Sequence, residues 1–99
     1  MEPVKFDWDK GNINKNLQKH NVTDKESEEA FFDSRLRVYY DKGHSKKEER
    51  YYALGKTLKG QILFIVFTIR NDRIRIISAR DINKKEKMEY EKTKENTRV

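Results

Sequence analysis

No cysteine occurs in this chain, and that absence excludes a disulfide framework, a thiolate-bound zinc ion and a thiol nucleophile. Histidine is scarce too: His20 and His44 are the two present, far enough apart that no metal site is expected and no cofactor is called for. Long apolar runs are missing. The longest, Ile62 to Phe67, is far too short to span a bilayer, and the first residues lack the apolar core of a signal peptide. The expected location is therefore the cytoplasm, with no membrane partner.

Apolar residues are in the minority, 34% against 40% charged, a balance that would read as disorder if they were evenly spread. They are concentrated between Tyr51 and Ala79, with Phe6, Trp8, Ile13, Leu17, Val22, Ala30, Phe31 and Phe32 as satellites. One such block in 99 residues supplies one modest core. A single domain over 1–99 is expected, with its core at about 4–91 and a mobile tail over 92–99.

Lysine and arginine number 23 against 17 aspartates and glutamates, a net charge of +6 that favours polyanionic partners through counterion release. The charges are also segregated. Asp24, Glu26, Glu28, Glu29 and Asp33 make one stretch acidic, whereas Arg70, Arg73, Arg75, Arg80, Lys84, Lys85 and Lys87 crowd another.

The pattern predicts an opening strand at Val4–Asp7, then a helix capped by Asp9 and running to about His20 with Ile13 and Leu17 on its apolar face. Thr23 and Glu26 have capping-box spacing ahead of a second helix. Arg37–Tyr40 reads as a strand and the polar stretch Asp41–Lys47 as a loop. Three further strands follow, Glu49–Thr57, Gln61–Arg70 and Arg73–Arg80, separated by turns at Lys59-Gly60 and Asn71-Asp72. From Asn83 onward the chain is Lys- and Glu-rich, and its first half reads as a helix packing through Met88 and Glu91. The expected fold is α+β: an antiparallel meander with two N-terminal helices and one C-terminal helix, in the order β-α-α-β-β-β-β-α.

A two-residue loop at Asn71-Asp72 pairs Arg70 with Arg73, Thr68 with Arg75 and Val66 with Ile77. A two-residue loop at Lys59-Gly60 pairs Tyr51 with Thr68 and Glu49 with Arg70. One end of one face is then expected to carry Glu49, Tyr51, Thr68, Arg70, Arg73 and Arg75. Tyr52, Leu54, Ile65, Phe67, Ile74 and Ile76 form the face for helices to cover. Strict alternation sends Arg80 to that covered face, where it would anchor the C-terminal helix.

Adjacent guanidinium groups repel one another unless anions intervene. Phosphate is one such anion, since arginine offers it planar bidentate hydrogen bonds and stabilises the charge that develops during RNA cleavage. The competing explanation is an ion-pair lattice in which Glu49, Asp72 and Asp81 neutralise the arginines. His20 either caps its helix or transfers protons, with Lys19 beside it placed to hold a phosphate. His44, in a polar loop, either contacts RNA or is simply exposed. Most aromatic rings are needed for the core, and of the tyrosines only Tyr51 falls on the basic face.

Phe6-Asp7-Trp8-Asp9, Asn16 and Lys19-His20-Asn21-Val22 resemble the F-x-W-D … N-x-x-K-H-x-V signature of the BrnT toxin family. His44-Ser45, Glu48-Glu49-Arg50-Tyr51 and Leu54-Gly55 are similar to its H-S-x-x-E-E-R-x-x-x-L-G, and Val66-Phe67-Thr68, Arg70 and Arg73 to Arg80 to its V-F-T-x-R … I-R-I-I-S-A-R. The chain departs from the pattern at Thr23 to Ala30, so the second helix is expected to be longer or shifted. The resemblance implies a RelE-like fold and a metal-independent endoribonuclease that arrests translation. It also implies a cognate ribbon-helix-helix antitoxin of the BrnA kind, through which alone the toxin would reach operator DNA.

On that basis a ribose 2′-hydroxyl attacks the adjacent phosphorus of RNA while Arg70, Arg75 and Arg80 hold the phosphate. Glu49, His20 and Tyr51 are the candidates for proton transfer, and Lys19, Arg50, Thr68, Arg73 and Lys84 the further RNA contacts. No metal is required, because the substrate supplies the nucleophile. Two other classes stay open: a non-catalytic nucleic-acid-binding module, and a protein–protein adaptor whose basic face docks an acidic partner.

Overall fold

Four antiparallel strands lie in the sheet in chain order: β1 (Arg37–Tyr40), β2 (Arg50–Lys56), β3 (Ile62–Arg70) and β4 (Arg73–Asp81). Helices α1 (Lys15–His20) and α2 (Asp24–Ala30) precede them and α3 (Lys84–Asn96) follows. The computed structural model describes residues 4–44 and 47–96. Ser45 of the family-like motif and residues 97–99 of the tail lie outside them. The α+β meander expected from the sequence is the observed architecture, and among the described residues no helix is long and apolar enough to cross a membrane.

The turns set which side each strand residue faces. Asn71 and Asp72 both take left-handed backbone, φ 51° and 63°, as a two-residue type I′ turn demands. Arg70 accordingly pairs with Arg73 and Thr68 with Arg75. The β2–β3 connection is longer than expected, because the Thr57 amide donates to the Gln61 carbonyl at 2.8 Å and Gly60 sits at φ 90°. Three residues, not two, therefore make the loop, and the register moves by one: Arg50 pairs with Thr68, and Tyr51 with Phe67.

A second irregularity lies in β4. Val66 pairs with Ser78 while Phe67 pairs with Ile76, so Ile77 is an extra residue, a β-bulge that reverses the alternation beyond it. Arg80, expected on the helix-covered face, consequently pairs with Phe64 and shares a face with Thr68 and Arg75. Tyr52 and Leu54 move to that same face, opposite Val66 and Phe64.

The other face builds the core: Ala53, Leu63, Ile65, Phe67, Ile76 and Ala79 pack against Val22 and Ala30 from the helices. Helix α2 begins with the predicted capping box, Thr23 and Glu26 exchanging bonds with each other's amides at 3.0 and 2.9 Å. It ends against Gly55, where a Cβ would stand 2.3 Å from the Ala30 carbonyl oxygen. That close approach is why glycine follows Leu54.

The opening segment and α1 depart from expectation. Instead of a strand, Phe6 makes a single parallel bridge to Ile74, flanked by bonds from the Asp7 amide to Ile74 and from the Ile74 amide to Lys5, at 2.8 and 2.9 Å. Asp9 does not cap the helix; it closes a turn through its Oδ1, which accepts from the Gly11 amide at 2.7 Å. The helix starts only at Lys15. Ile13 and Leu17, expected inward, are 48% and 42% exposed, whereas Asn12 and Asn16 are buried. The reason is that β4 is an edge strand whose main-chain groups need partners. Asn12 Nδ2 donates to the Ile76 carbonyl at 3.0 Å, and Asn16 Oδ1 accepts from the Ala79 amide at 3.0 Å.

Helix α3 is also seated differently from its expected packing. Met88 is 69% exposed, and Tyr90 is the buried residue, its hydroxyl donating to Asp33 at 2.6 Å. Replacing Gly55 by alanine should force α2 away from β2 and destabilise the fold by about 1–3 kcal/mol, the usual cost of overpacking. A lower urea midpoint with an unchanged slope is the expected result, and an unchanged midpoint would contradict the close packing described here.

Candidate nucleic-acid interface

The registers bring Arg37, Arg50, Arg70, Arg73, Arg75 and Arg80 to one face of the sheet. At the Asn71-Asp72 end, Arg70 and Arg73 form one row and Arg50, Thr68 and Arg75 the next. Thr68 is buried, and its hydroxyl donates to the Glu49 carbonyl at 2.6 Å. The Glu49 side chain is exposed, but the register shift that carries Tyr51 to the other face removes Glu49 from its expected place opposite Arg70.

Arg70, Arg75 and Arg80 are matched to carboxylates other than the expected Glu49, Asp72 and Asp81. Arg70 reaches Glu48 through Nε and Nη2 at 3.1 and 3.2 Å, and both side chains are accessible, 48% and 34% exposed. Arg75 donates from Nη2 to Asp9 at 2.8 Å and lies 3.5 Å from Asp7. Its side chain is only 12% exposed, and Nη1 is buried without a hydrogen bond. A Cβ on Gly11 would come within 2.6 Å of that guanidinium, so glycine there leaves room for the Asp9 contact. The hydrogen bond from Arg75, assisted by the Gly11 amide, holds the Asp9 carboxyl below its ordinary value, and the same bond raises Arg75.

Arg80 is held in a fork by Glu86, at 2.9 and 2.7 Å, donates to the Asp81 carbonyl at 3.0 Å and lies 4.3 Å over the Phe64 ring. Glu86 also accepts from the Asn83 amide at 2.9 Å, while Asn83 Oδ1 receives the Glu86 amide at 2.8 Å, which starts α3. Arg80 therefore anchors the C-terminal helix, although from the face opposite to the one expected. It stands five residues along β4 from Arg75, roughly 15 Å at strand rise, too far for both to grip one phosphate.

The remaining candidates divide between the rim and other places. Arg73 is exposed and makes no ion pair among the described residues. Tyr51 is on the helix-covered face, stacked on Phe67 at 5.4 Å and edge-on to Tyr40 at 5.7 Å. Since Asn12 bonds Ile76 and Asn16 bonds Ala79, the chain passes β4 toward Ala79. Lys19 and His20 follow on that side, exposed, away from the Arg70–Arg73 turn. Lys84, exposed at the start of α3, follows the same far end of β4. Among the described residues no three His, Asp or Glu side chains converge to hold a metal ion.

Sequence reasoning missed Asp7, Asp9 and Gly11 as the seat of Arg75, and Glu48 and Glu86 as partners of Arg70 and Arg80. The Asp9–Arg75 contact spans 66 residues, and no local spacing reports such a pairing.

Residues 8–86 match the family model described as the ribonuclease toxin, BrnT, of type II toxin–antitoxin systems. No curated protein matches the chain significantly.

Asp33 and Glu86 link the stability of the fold to pH. Burial raises Asp33 and Glu86, but hydrogen bonds outweigh it, from Tyr90 and two amides at Asp33 and from Arg80 and the Asn83 amide at Glu86, so both lie below their ordinary 3.8 and 4.5. The stability they contribute is complete above those ordinary values and is lost as pH falls through the lowered ones. Glu86→Gln should cost roughly 1 kcal/mol at neutral pH, less than a fully buried charged bond because Arg80 is 34% exposed. Its urea midpoint should then fall less steeply than the parent's between pH 5 and pH 3, which parallel acid slopes would refute.

Proposed function

We propose, from the premise that this chain belongs to the BrnT family of ribonuclease toxins of type II toxin–antitoxin systems, that it cuts RNA without a metal ion at the Arg70–Arg73 end of its sheet. The observation that carries this reading is the grouping of Arg70, Arg73, Arg50 and Arg75 around Thr68 on one face. Arrested translation follows from cutting messenger RNA. The RelE-like relationship and a BrnA-like ribbon-helix-helix antitoxin belong to the same reading.

In the proposed reaction a ribose 2′-oxygen attacks the adjacent phosphorus, the bond to the 5′-oxygen breaks, that oxygen takes a proton from water, and a 2′,3′-cyclic phosphate and a 5′-hydroxyl result. Arg70 and Arg73 take the non-bridging oxygens, with Arg75 as a fixed charge behind them. The Arg70–Glu48 pair does not stand in the way. Exposed ion pairs are worth about 0–1 kcal/mol, less than a bidentate bond to a phosphodiester, so substrate displaces Glu48. Glu49, exposed and next to Arg50 in the chain, is the candidate for accepting the 2′-hydroxyl proton. His20 and Tyr51 are given no proton-transfer step, and Arg80 is read as the seat of α3.

Purified protein should cleave single-stranded RNA in excess EDTA and leave cyclic phosphate termini. Arg70→Ala and Arg75→Ala should lower turnover roughly 100-fold or more at saturating RNA, the scale expected for removing a transition-state charge. Activity that vanishes in EDTA and returns with magnesium would sink the metal-free mechanism. Weaker binding with a shallower salt dependence and no cleavage at all would make the chain a binding module instead.

A further inference from the structure

Three aromatic rings stand in one stack on the face that carries the arginines. Phe64 and Tyr52 have centroids 5.1 Å apart, Tyr52 and Tyr39 4.8 Å, and the planes of each pair are inclined by 23°. The row crosses β3, β2 and β1 in turn, since Tyr39 pairs with Tyr52, and Phe64 is two residues from Val66, the partner of Tyr52. All three residues are half-buried. Strict alternation expects only Tyr51 among the tyrosines on this face; the one-residue register shift exchanges it for Tyr52 and sets Tyr39 beside it.

The two ends of the stack differ. At Phe64 it is closed, because Arg80 lies 4.3 Å over the ring and is itself held by Glu86 at 2.9 and 2.7 Å. At Tyr39 it reaches the side of the sheet: β1 is the last strand, and among the described residues no other ring lies against Tyr39 than Tyr52. What stands there is Arg37, whose guanidinium carbon is 5.2 Å from the Tyr39 centroid and whose Nε donates to the Tyr39 hydroxyl at 3.1 Å. A surface cation–π contact is weaker than a base stacked on the same ring, so a planar ligand can take the ring face while Arg37 turns outward.

Charge selects the ligand. Burial raises the Tyr52 hydroxyl, and Glu89, Tyr39, Asp41 and Glu86 raise it further, so the middle of the stack lies in a negative field that disfavours a phosphate and tolerates an uncharged ring. Cations return along the same face. Arg50 is two residues from Tyr52, and Arg70 stands four residues of strand rise and two strand spacings from Tyr39, roughly 16 Å on the diagonal. A single strand of RNA has the matching alternation of uncharged planes and backbone charge, and a few of its nucleotides span that distance.

We infer that Tyr39 stacks a base of the RNA strand a few nucleotides from the phosphate held at Arg70 and Arg73, adding a fourth plane to the row, while Arg37 moves to that nucleotide's phosphate. Every base has a planar face, so the contact supplies affinity and fixes where the strand lies, without reading its sequence. The choice of RNA as ligand rests on the nuclease reading above, whereas the stacking is measurable on a strand that cannot be cut.

The test uses the whole chain and a short single-stranded RNA in which fluorine replaces each 2′-hydroxyl, carrying a fluorescent purine analogue whose emission stacking quenches. Binding to the parent should quench it. Tyr39→Leu should remove most of that quenching and weaken binding about 10-fold, the scale of one stacked base. The loss should be equal at low and high salt, because a stacked base releases no counterions. Tyr39→Phe, which keeps the ring, should bind and quench as the parent does, and Tyr40→Leu, on the other face of the same strand, should change neither. Full affinity and quenching in a folded Tyr39→Leu overturn the proposal, as does a loss that Tyr39→Phe shares. Should Tyr39→Leu fail to fold, Tyr39→Trp decides: its wider ring deepens the quenching where a base stacks, and unchanged quenching overturns the proposal. A parent protein that binds and quenches this strand but cuts no natural RNA sinks the nuclease reading and leaves this one standing.

Discussion

The placement of the arginines on this sheet depends on register, and two backbone features decide it for β4. Asn71 and Asp72 accept left-handed backbone, which places Arg70 beside Arg73, and the extra residue Ile77 reverses the alternation of β4. Without that bulge Arg80 would point into the helical layer, where a guanidinium with no carboxylate would be costly to bury. With it, Arg80 lies across Phe64 and grips Glu86, and α3 begins where it does.

A basic protein that concentrates arginines on one face must also keep that face folded before any ligand arrives. This one does so with carboxylates drawn from separate parts of the chain: Asp9 from the N-terminal turn, Glu48 from the segment before β2, Glu86 from α3. The three pairs differ in accessibility, and accessibility governs exchange. Arg70–Glu48 is open to water and easily displaced, whereas Arg75 is enclosed and stays where Asp9 holds it. An exposed contact beside an enclosed one is the arrangement that the proposed grip on a phosphodiester uses.

Much of the fold was legible because its signals are local. The capping box at Thr23 and Glu26, the strand Arg37–Tyr40 and the Asn71-Asp72 turn all follow from residues within four positions of each other. The candidate site was legible only in part. Arg70, Arg73, Thr68 and Arg75 come together as the turn chemistry requires, but Tyr51 crossed to the other face because one additional loop residue shifted β2. The bulge at Ile77 has no mark in the sequence; nothing in Ile-Ile-Ser distinguishes it from regular strand. Helix α1 misled in a more instructive way. Ile13 and Leu17 have the spacing of a buried stripe, yet the free edge of β4 needed hydrogen-bonding partners more than the core needed two more aliphatic side chains, so asparagines took the inward positions.

Those asparagines also govern how the sheet can grow. Asn12 and Asn16 bond to the main chain of β4 and Phe6 bridges its start, so among the described residues the outer edge of β4 is occupied at Ile74, Ile76 and Ala79. The other edge of the sheet among the described residues is β1, four residues in length, a short ladder for a neighbouring chain. For a molecule with so many β-branched residues in its central strands, cover of that edge works against edge-to-edge pairing, and it comes from side-chain amides in the turn before α1 and on α1 itself, not from charges on the strand.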